Sequence, residues 1–449
     1  MLTRLRAVWQ DINASYWFYP ALFVAGSLAL ATLTLWIDGR TPRGWLQEHL
    51  ILRPANAESA STMLNAIAVS MMGVAATVFS ITIAAVVYAS GSYGPRLLNN
   101  FMEDRGNQLS LGTFMGTFVY AFTILRTVRQ GDGQAAAAAG SAMEQADFVP
   151  QISLLTAYVL MGLAVAVLVY FLNHIPSSIR INSVLKDIGL RLLHGIDKTY
   201  PEPNSGVRVP EHGQGVPVRA HGAGYIEVLD FARLHTVAKK HGGRIVMAVR
   251  TGDFVHSSVT IAHWCPGDGA SDPEPPADTI RSCLALGSAR TPHQDLQFLI
   301  DELVEIGLRA LSPGINDPFT AITAIHWLGA ATARLGERDL RLRLDREIKL
   351  DSALVVPLDD DYRHFVARGF GAIRSAVATN RIATMVMFDA LADAATTLED
   401  ETRRTELKRQ GDLLIEQARV HLLGPELQLA EARYVSFTTK FARQGPHSE

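Results

Sequence analysis

"SMMGVAATVFSITIAAVVYAS", Ser70 to Ser90, contains no Asp, Glu, Lys, Arg or His. At 1.5 Å of rise per residue, a helix of this length crosses about 30 Å of hydrocarbon. Three further apolar stretches meet the same test, so the chain is predicted to span a membrane four times, at about 16–37, 63–90, 109–126 and 152–172. The composition agrees: 48% of the 449 residues are apolar, only 19% are charged, and the apolar ones concentrate before His174. The remainder of the chain is richer in ionisable groups and reads as a soluble region. The expected fold class is therefore a membrane α-helical part with four transmembrane helices plus a cytoplasmic α+β region holding a small β domain and a helical bundle.

Charge sets the expected orientation. Arg4 and Arg6, Arg96 and Arg105, then Arg180, Lys186 and Arg191 fall on one side of the predicted spans, and the other side carries fewer cations, Arg40, Arg43 and Arg53 in its first loop and none in its second, "QGDGQAAAAAGSAMEQADFVP". Positive charge is retained on the cytoplasmic face, which predicts a multi-pass protein of the bacterial inner membrane with both termini cytoplasmic. The aromatic cluster "SYWFYP" before the first span suits a headgroup interface, and no cleavage pattern comes after it. Arg126, at the end of the third span, is placed to snorkel to the outer interface or to help select anions.

Within the opening stretch Ser70, Gly73, Thr77, Ser80 and Ala84 recur at alternating steps of three and four, which puts small and hydroxyl side chains on one helical face. The third span repeats the pattern with Gly112 and Gly116 and with Thr113, Thr117 and Tyr120. Two uses fit these faces: close packing between helices, or the wall of a conduction path. No ionisable relay lies well inside a span, which argues against a proton-driven carrier. Between the second and third spans, "SYGPRLLNNFMEDRGNQ" reads as a short polar interfacial helix. Its Arg96, Asp104 and Arg105 would cap the two spans or form a gating surface.

Beyond the fourth span, Ile181, Leu185, Ile188 and Leu192 keep helical spacing, so the helix is expected to run on into the cytoplasm and complete a transmembrane domain of residues 1–198. A Pro- and Gly-rich linker occupies 199–224. Residues 225–290 alternate as strand, helix, strand and strand, a small β domain similar to half of a lipoyl-type barrel sandwich but without a lysine at the hairpin tip. From 291 to 449 the pattern is a helical bundle. Its first helix places Leu296, Leu299, Leu303, Ile306 and Ala310 on one face, with Asp301, Glu302, Glu305 and Arg309 elsewhere. "LSPGINDPFTA", Leu311 to Ala321, then forms a double-capped corner: Ser-Pro-Gly stops one helix, and Asp317-Pro318 starts the next. Asn316 and Asp317 remain candidates for an interface contact.

The function classes narrow by exclusion. A net charge of −3 without a basic run gives no footprint for nucleic acid. Cys265 and Cys283 lack metal-ligand spacing, and no histidine pair brackets a glutamate as in a metalloprotease, so no metal and no cofactor is expected. There is no nucleophile elbow, phosphate loop or dinucleotide fingerprint, hence no catalytic residue and no enzyme is predicted, unless His293, Asp295 and Asp317 converge in the fold.

Three segments carry a resemblance: Ser70 to Arg129, "GDFV", and "LVEIGLRALSPGINDPFTAI". Through them the chain resembles the bacterial domain-of-unknown-function 2254 family of predicted membrane proteins. The resemblance implies four membrane helices and a C-terminal cytoplasmic region, and brings no reaction, cofactor or catalytic residue with it. The leading expectation is an oligomeric ion channel or passive pore with a cytoplasmic regulatory region. The alternative is a membrane-anchored scaffold or sensor for a cytoplasmic protein partner. The lipid bilayer and a second copy of the chain are the expected partners.

Overall fold

The computed structural model describes residues 15–41, 56–94, 104–128, 149–203, 215–267, 274–292, 294–340, 354–358 and 361–443. The chain divides into two compact units, one built on Gln10–Gly91 and Pro95–Arg180, the other chiefly on Ile181–Glu449.

The first unit holds α1 (Phe18–Asp38), α2 (Ala57–Tyr93), α3 (Arg105–Leu125) and α4 (Gln151–Ser178). All four are long and apolar enough to cross a membrane. In hydrocarbon every backbone polar group must be satisfied within the segment, so an apolar run of this length folds as a helix. The helices share one core, to which α2 contributes Leu64, Met71 and Val78, α3 Phe114 and Ile124, and α4 Ala157 and Phe171. α3 is the most enclosed, with 61% of its spanning segment buried against 17%, 33% and 22% for α1, α2 and α4. Its interior position depends on the "GTFMG" pair. A Cβ at Gly112 would meet the Phe23 ring of α1 at 3.0 Å, and one at Gly116 would meet Ser27 Oγ at 2.7 Å.

The expected continuation of the fourth span into the cytoplasm is interrupted. α4 contains Pro176 and ends at Ser178, and a separate helix, α5 (Ile181–Thr199), begins after Ile179 and Arg180. Pro176 lacks the backbone N–H that would bond back into the preceding turn, so the last turn of α4 is weakened where the chain leaves the helix. α5 belongs to the second unit, where its stripe of Val184, Leu185, Ile188, Leu192 and Ile196 is buried.

The sheets of the second unit are larger than the predicted β domain. β1 (Val216–Arg219) lies in the stretch read as linker and pairs antiparallel with β5 (Thr260–Pro266). β3 (Gly243–Met247) comes next in the order β1-β5-β3-β7, where β7 (Val355–Val356) comes from the region read as wholly helical and pairs in parallel with β3, Ile245 opposite Val355. A second sheet sets β2 (Gly224–Leu229) between β4 (Phe254–Val255) and β6 (Leu284–Gly287). The resemblance to half a barrel sandwich stops here, because β3 and β5 are partners while β4 leaves for the other sheet. Between β2 and β3 runs α6 (Phe231–His241), capped by the Asp230 carboxylate at one end and by Gly242, at φ 66°, at the other. Trp264, Ile245, Val218, Ile226, Leu234 and Ile280, the last on α7 (Ala277–Arg281), fill the shared core. Cys283 is buried and burial pushes its thiol up to about 11, which leaves it unreactive; neither it nor Cys265 is part of a disulfide.

Helices complete the unit: α8 (Leu296–Ala310), α9 (Pro318–Gly336), α10 (Tyr362–Val366), a π-helical turn (Ala367–Gly371), α11 (Ala372–Val377), α12 (Arg381–Ala395), α13 (Glu401–His421) and α14 (Gly424–Arg443). One expectation for these helices differs from the structure. Glu302, assigned to the polar side of α8, is buried, its carboxylate 3.7 Å from Arg191 Nη2.

Candidate functional site

The two look-alike stripes of the membrane unit meet opposite surroundings. On α2 the buried positions include Leu64, Ile67, Met71, Ala75, Val78, Thr82 and Val86. Ser70, Gly73, Thr77, Ser80 and Ala84 lie on the far side of the helix, and all five are exposed on the single chain. A Cβ at Gly73 would find no atom within 4 Å. Thr77 donates its hydroxyl hydrogen to Gly73 O at 3.0 Å, which satisfies the donor and leaves acceptor lone pairs facing outward. Larger exposed side chains, Val69, Met72, Phe79, Ile83 and Val87, flank the stripe.

On α3, by contrast, Thr113, Thr117 and Tyr120 are buried, together with Asn107 and Ser110. Thr113 and Thr117 return their hydroxyls to Leu109 O and Thr113 O, at 2.9 and 2.8 Å. Tyr120 reaches further: its hydroxyl shares a hydrogen bond with Thr34 of α1 at 2.9 Å and donates to Ser153 O of α4 at 3.1 Å. This stripe is a helix contact inside one chain.

Carboxylates close the unit at both ends. At the C-terminus of α1, Asp38 accepts from Ile152 N at 2.8 Å, Ser153 N at 2.9 Å and Ser153 Oγ at 2.6 Å. One helix thereby supplies the cap for the first turn of another, where free N–H groups and the helix dipole favour a negative charge. At the other end Asp104 caps α3 through Gly106 N at 2.7 Å and Asn107 N at 3.3 Å. The same carboxylate lies 2.9 and 3.0 Å from Nε2 of His174 on α4. Tyr170 stacks on the His174 ring with centroids 5.1 Å apart. Gly106 is needed for that approach, since a Cβ there would lie 2.6 Å from His174 Nε2.

Asp104 thus ties the third span to the fourth, whereas sequence reasoning gave it to a cap on the second and third. Arg96 lies outside the described residues. Arg105 and Arg126 are exposed at the two ends of α3. Asp38 and His174 were missed as site residues. Each stands where an apolar run stops, and that position does not say which helix it will meet.

In the second unit Asp317 caps α9, accepting from Thr320 N at 3.2 Å and Thr320 Oγ1 at 2.6 Å. Asn316 has φ 49°, in the left-handed region that Asn tolerates better than most residues, and the chain turns there so that Asp317 N reaches Ala310 O at 2.8 Å. Both residues therefore build the corner. The turn also presents Ile315 and Phe319 at 48% and 69% exposure. Of the three residues that an enzyme reading would need together, Asp295 caps α8 and pairs with Arg290 at 2.5 Å, Asp317 is committed to its own cap, and His293 lies outside the described residues. Among the described residues, no group of three or more His, Cys, Asp or Glu could hold a metal ion.

Comparison with known proteins gives these features a family. A family model described as a predicted membrane protein, DUF2254, matches residues 13–393. The chain belongs to this family. Uncharacterized proteins of Mycobacterium bovis and Mycobacterium tuberculosis are each 28% identical to it over 430 residues, which is 93% of this chain and 79% of the relative. No solved structure matches the chain. The DUF2254 match takes in both membrane stripes, both carboxylate clasps and the 311–321 corner, and ends inside α12, so α13 and α14 lie beyond it.

Proposed function

We propose that this DUF2254 protein is a homo-oligomeric channel or passive pore of the bacterial inner membrane, with the Ser70, Gly73, Thr77, Ser80 and Ala84 face of α2 at its axis. The observation that carries the reading is the exposure of this whole stripe on the side of α2 that its own chain does not cover. Helix surfaces against lipid gain from large apolar side chains, whereas small residues and hydroxyls collect at protein contacts and aqueous linings. With 37 residues, α2 is about 55 Å long, well beyond the hydrocarbon thickness, so it can wall a passage past the membrane surface. Acceptor oxygens without fixed charge along the stripe predict a passage of weak charge preference. Both termini and the C-terminal unit face the cytoplasm in this reading, as the arginine and lysine distribution indicates.

Purified full-length protein in liposomes is expected to pass small ions, and Thr77→Trp is expected to cut that flux by about tenfold or more while the protein still inserts. Flux no higher than from empty liposomes for every ion tried, with insertion confirmed, contradicts the reading. One observation favours the alternative of a membrane-anchored scaffold: the exposed Ile315 and Phe319 form an apolar tip suited to a cytoplasmic protein partner. A catalytic role is not proposed.

A further inference from the structure

One end of the helical bundle in the C-terminal unit lies where the chain leaves its last membrane helix. α5 begins at Ile181, with only Ile179 and Arg180 between it and α4. α9 runs beside α5 in the same direction: a Cβ at Gly189 would run into the Trp327 ring, and farther along Arg334 Nε donates to Asp197 at 2.6 Å. Eight residues before Gly189 and Trp327 stand Ile181 and Phe319, so Phe319 is level with the start of α5.

α8 runs the opposite way. Arg191 Nη2 lies 3.7 Å from Glu302, and a Cβ at Gly195 would meet Leu296, so the C-terminal end of α8 and the corner after it return to the same level. Ser92–Gly94, where the second membrane helix ends, group with this unit, and a Cβ at Gly94 would lie 2.7 Å from Glu305 Oε1 of α8. α12 parallels α9, since a Cβ at Gly329 would lie 3.3 Å from that of Ala390 and one at Gly336 would meet Leu398. Arg381, at the start of α12, is 3.8 Å from Glu426 in the first turn of α14. α13 arrives there from the far end, where Arg403 Nη1 donates to Gly336 O at 2.6 Å.

Large apolar side chains are exposed at this same end. Ile315 and Phe319 stand at the corner, Ile382 at the start of α12, and Val420 and Leu423, 75% and 78% exposed, between α13 and α14. At the opposite end Leu335, Leu340 and Leu398 are all buried. Clustered apolar exposure marks a surface that meets a protein or a membrane. Here the membrane is within reach, because the chain joins this level to α4 through two residues, which span about 7 Å at most.

We propose that this end of the bundle rests in the headgroup region of the bilayer, with Phe319 and Leu423 inserted into it. The proposal gives to lipid the tip that the scaffold alternative gives to a protein, and it does not rest on the pore reading.

Nitroxide labels at Phe319→Cys and Leu423→Cys test it, each in the full-length chain carrying Cys265→Ser and Cys283→Ser, in phosphatidylcholine nanodiscs. Thr397→Cys, at an exposed position of the opposite end, is the reference. Oxygen concentrates in lipid and a nickel chelate stays in water. The ratio of oxygen to nickel collisions is expected to be about threefold or more higher at both tip positions than at the reference, as for side chains buried in an interface. Both tip side chains are exposed, so neither substitution removes a core contact. A ratio no higher than the reference at 319 and 423 overturns the proposal. Shielding of both labels from both reagents also overturns it, since a protein surface would then cover this end.

Discussion

Gly116→Leu is expected to part α1 from α3 and to cost the membrane unit about 3 kcal/mol, the upper end of what overpacking a fitted core usually costs. The added side chain would start 2.7 Å from Ser27 Oγ and 3.4 Å from the carbonyl oxygen of Phe23, and a helix backbone cannot swing aside as a side chain can. Gly112→Ala should be milder, because its nearest neighbour is the Phe23 ring, which has a torsion to spend. Gly73→Leu provides the contrast: its Cβ meets nothing within 4 Å, so the stability of the single chain should hardly change. Unfolding in mixed micelles of rising dodecyl sulfate fraction measures all three. Equal losses at Gly73 and Gly116 would mean that the two stripes do not differ as described.

The second large effect is expected at Asp295. Its side chain is 2% exposed, it accepts from Phe298 N at 3.1 Å as the cap of α8, and it holds Arg290 through Nε at 2.8 Å. Asp295→Ala removes the cap and leaves Arg290, itself 13% exposed, with Asp301 alone. Breaking a buried pair from one side costs about 3–5 kcal/mol, since the remaining charge keeps its desolvation penalty. Burial pushes the Asp295 carboxyl above its usual range against the pull of Arg290, so the intact pair adds less stability than its geometry suggests. Asp295→Asn, which retains a capping oxygen, should therefore lose less than the alanine variant. Thermal unfolding of the full-length protein is the measurement, and a loss below about 1 kcal/mol for the alanine variant would contradict this role.

These two sites mark where sequence reasoning succeeds and where it stops. The membrane helices were legible because crossing hydrocarbon is a local property, settled by length and the absence of charge within one segment. The 311–321 corner was legible for a similar reason, since capping involves residues only a few positions apart. Periodicity identified two small-residue faces but not what each would meet; α2 turns its face outward and α3 turns its face to Phe23 and Ser27. Glu302 broke the pattern of α8 because its cation, Arg191, lies more than a hundred positions away. The pairs Asp38 with Ser153 and Asp104 with His174 are equally remote, and β7 is a two-residue strand whose only signal is its partner β3.

In the proposed pore the exposed α2 stripe faces water at the axis of an oligomer. Cysteine at Thr77, introduced in a chain carrying Cys265→Ser and Cys283→Ser and reconstituted in liposomes, tests it directly, with cysteine at Val69 as the flanking control. A membrane-impermeant thiol reagent is expected to label the Thr77→Cys protein and thereby to block ion flux, and the control is expected to react far more slowly. A Thr77→Cys thiol no more reactive than the control, in protein that is inserted and folded, would contradict it.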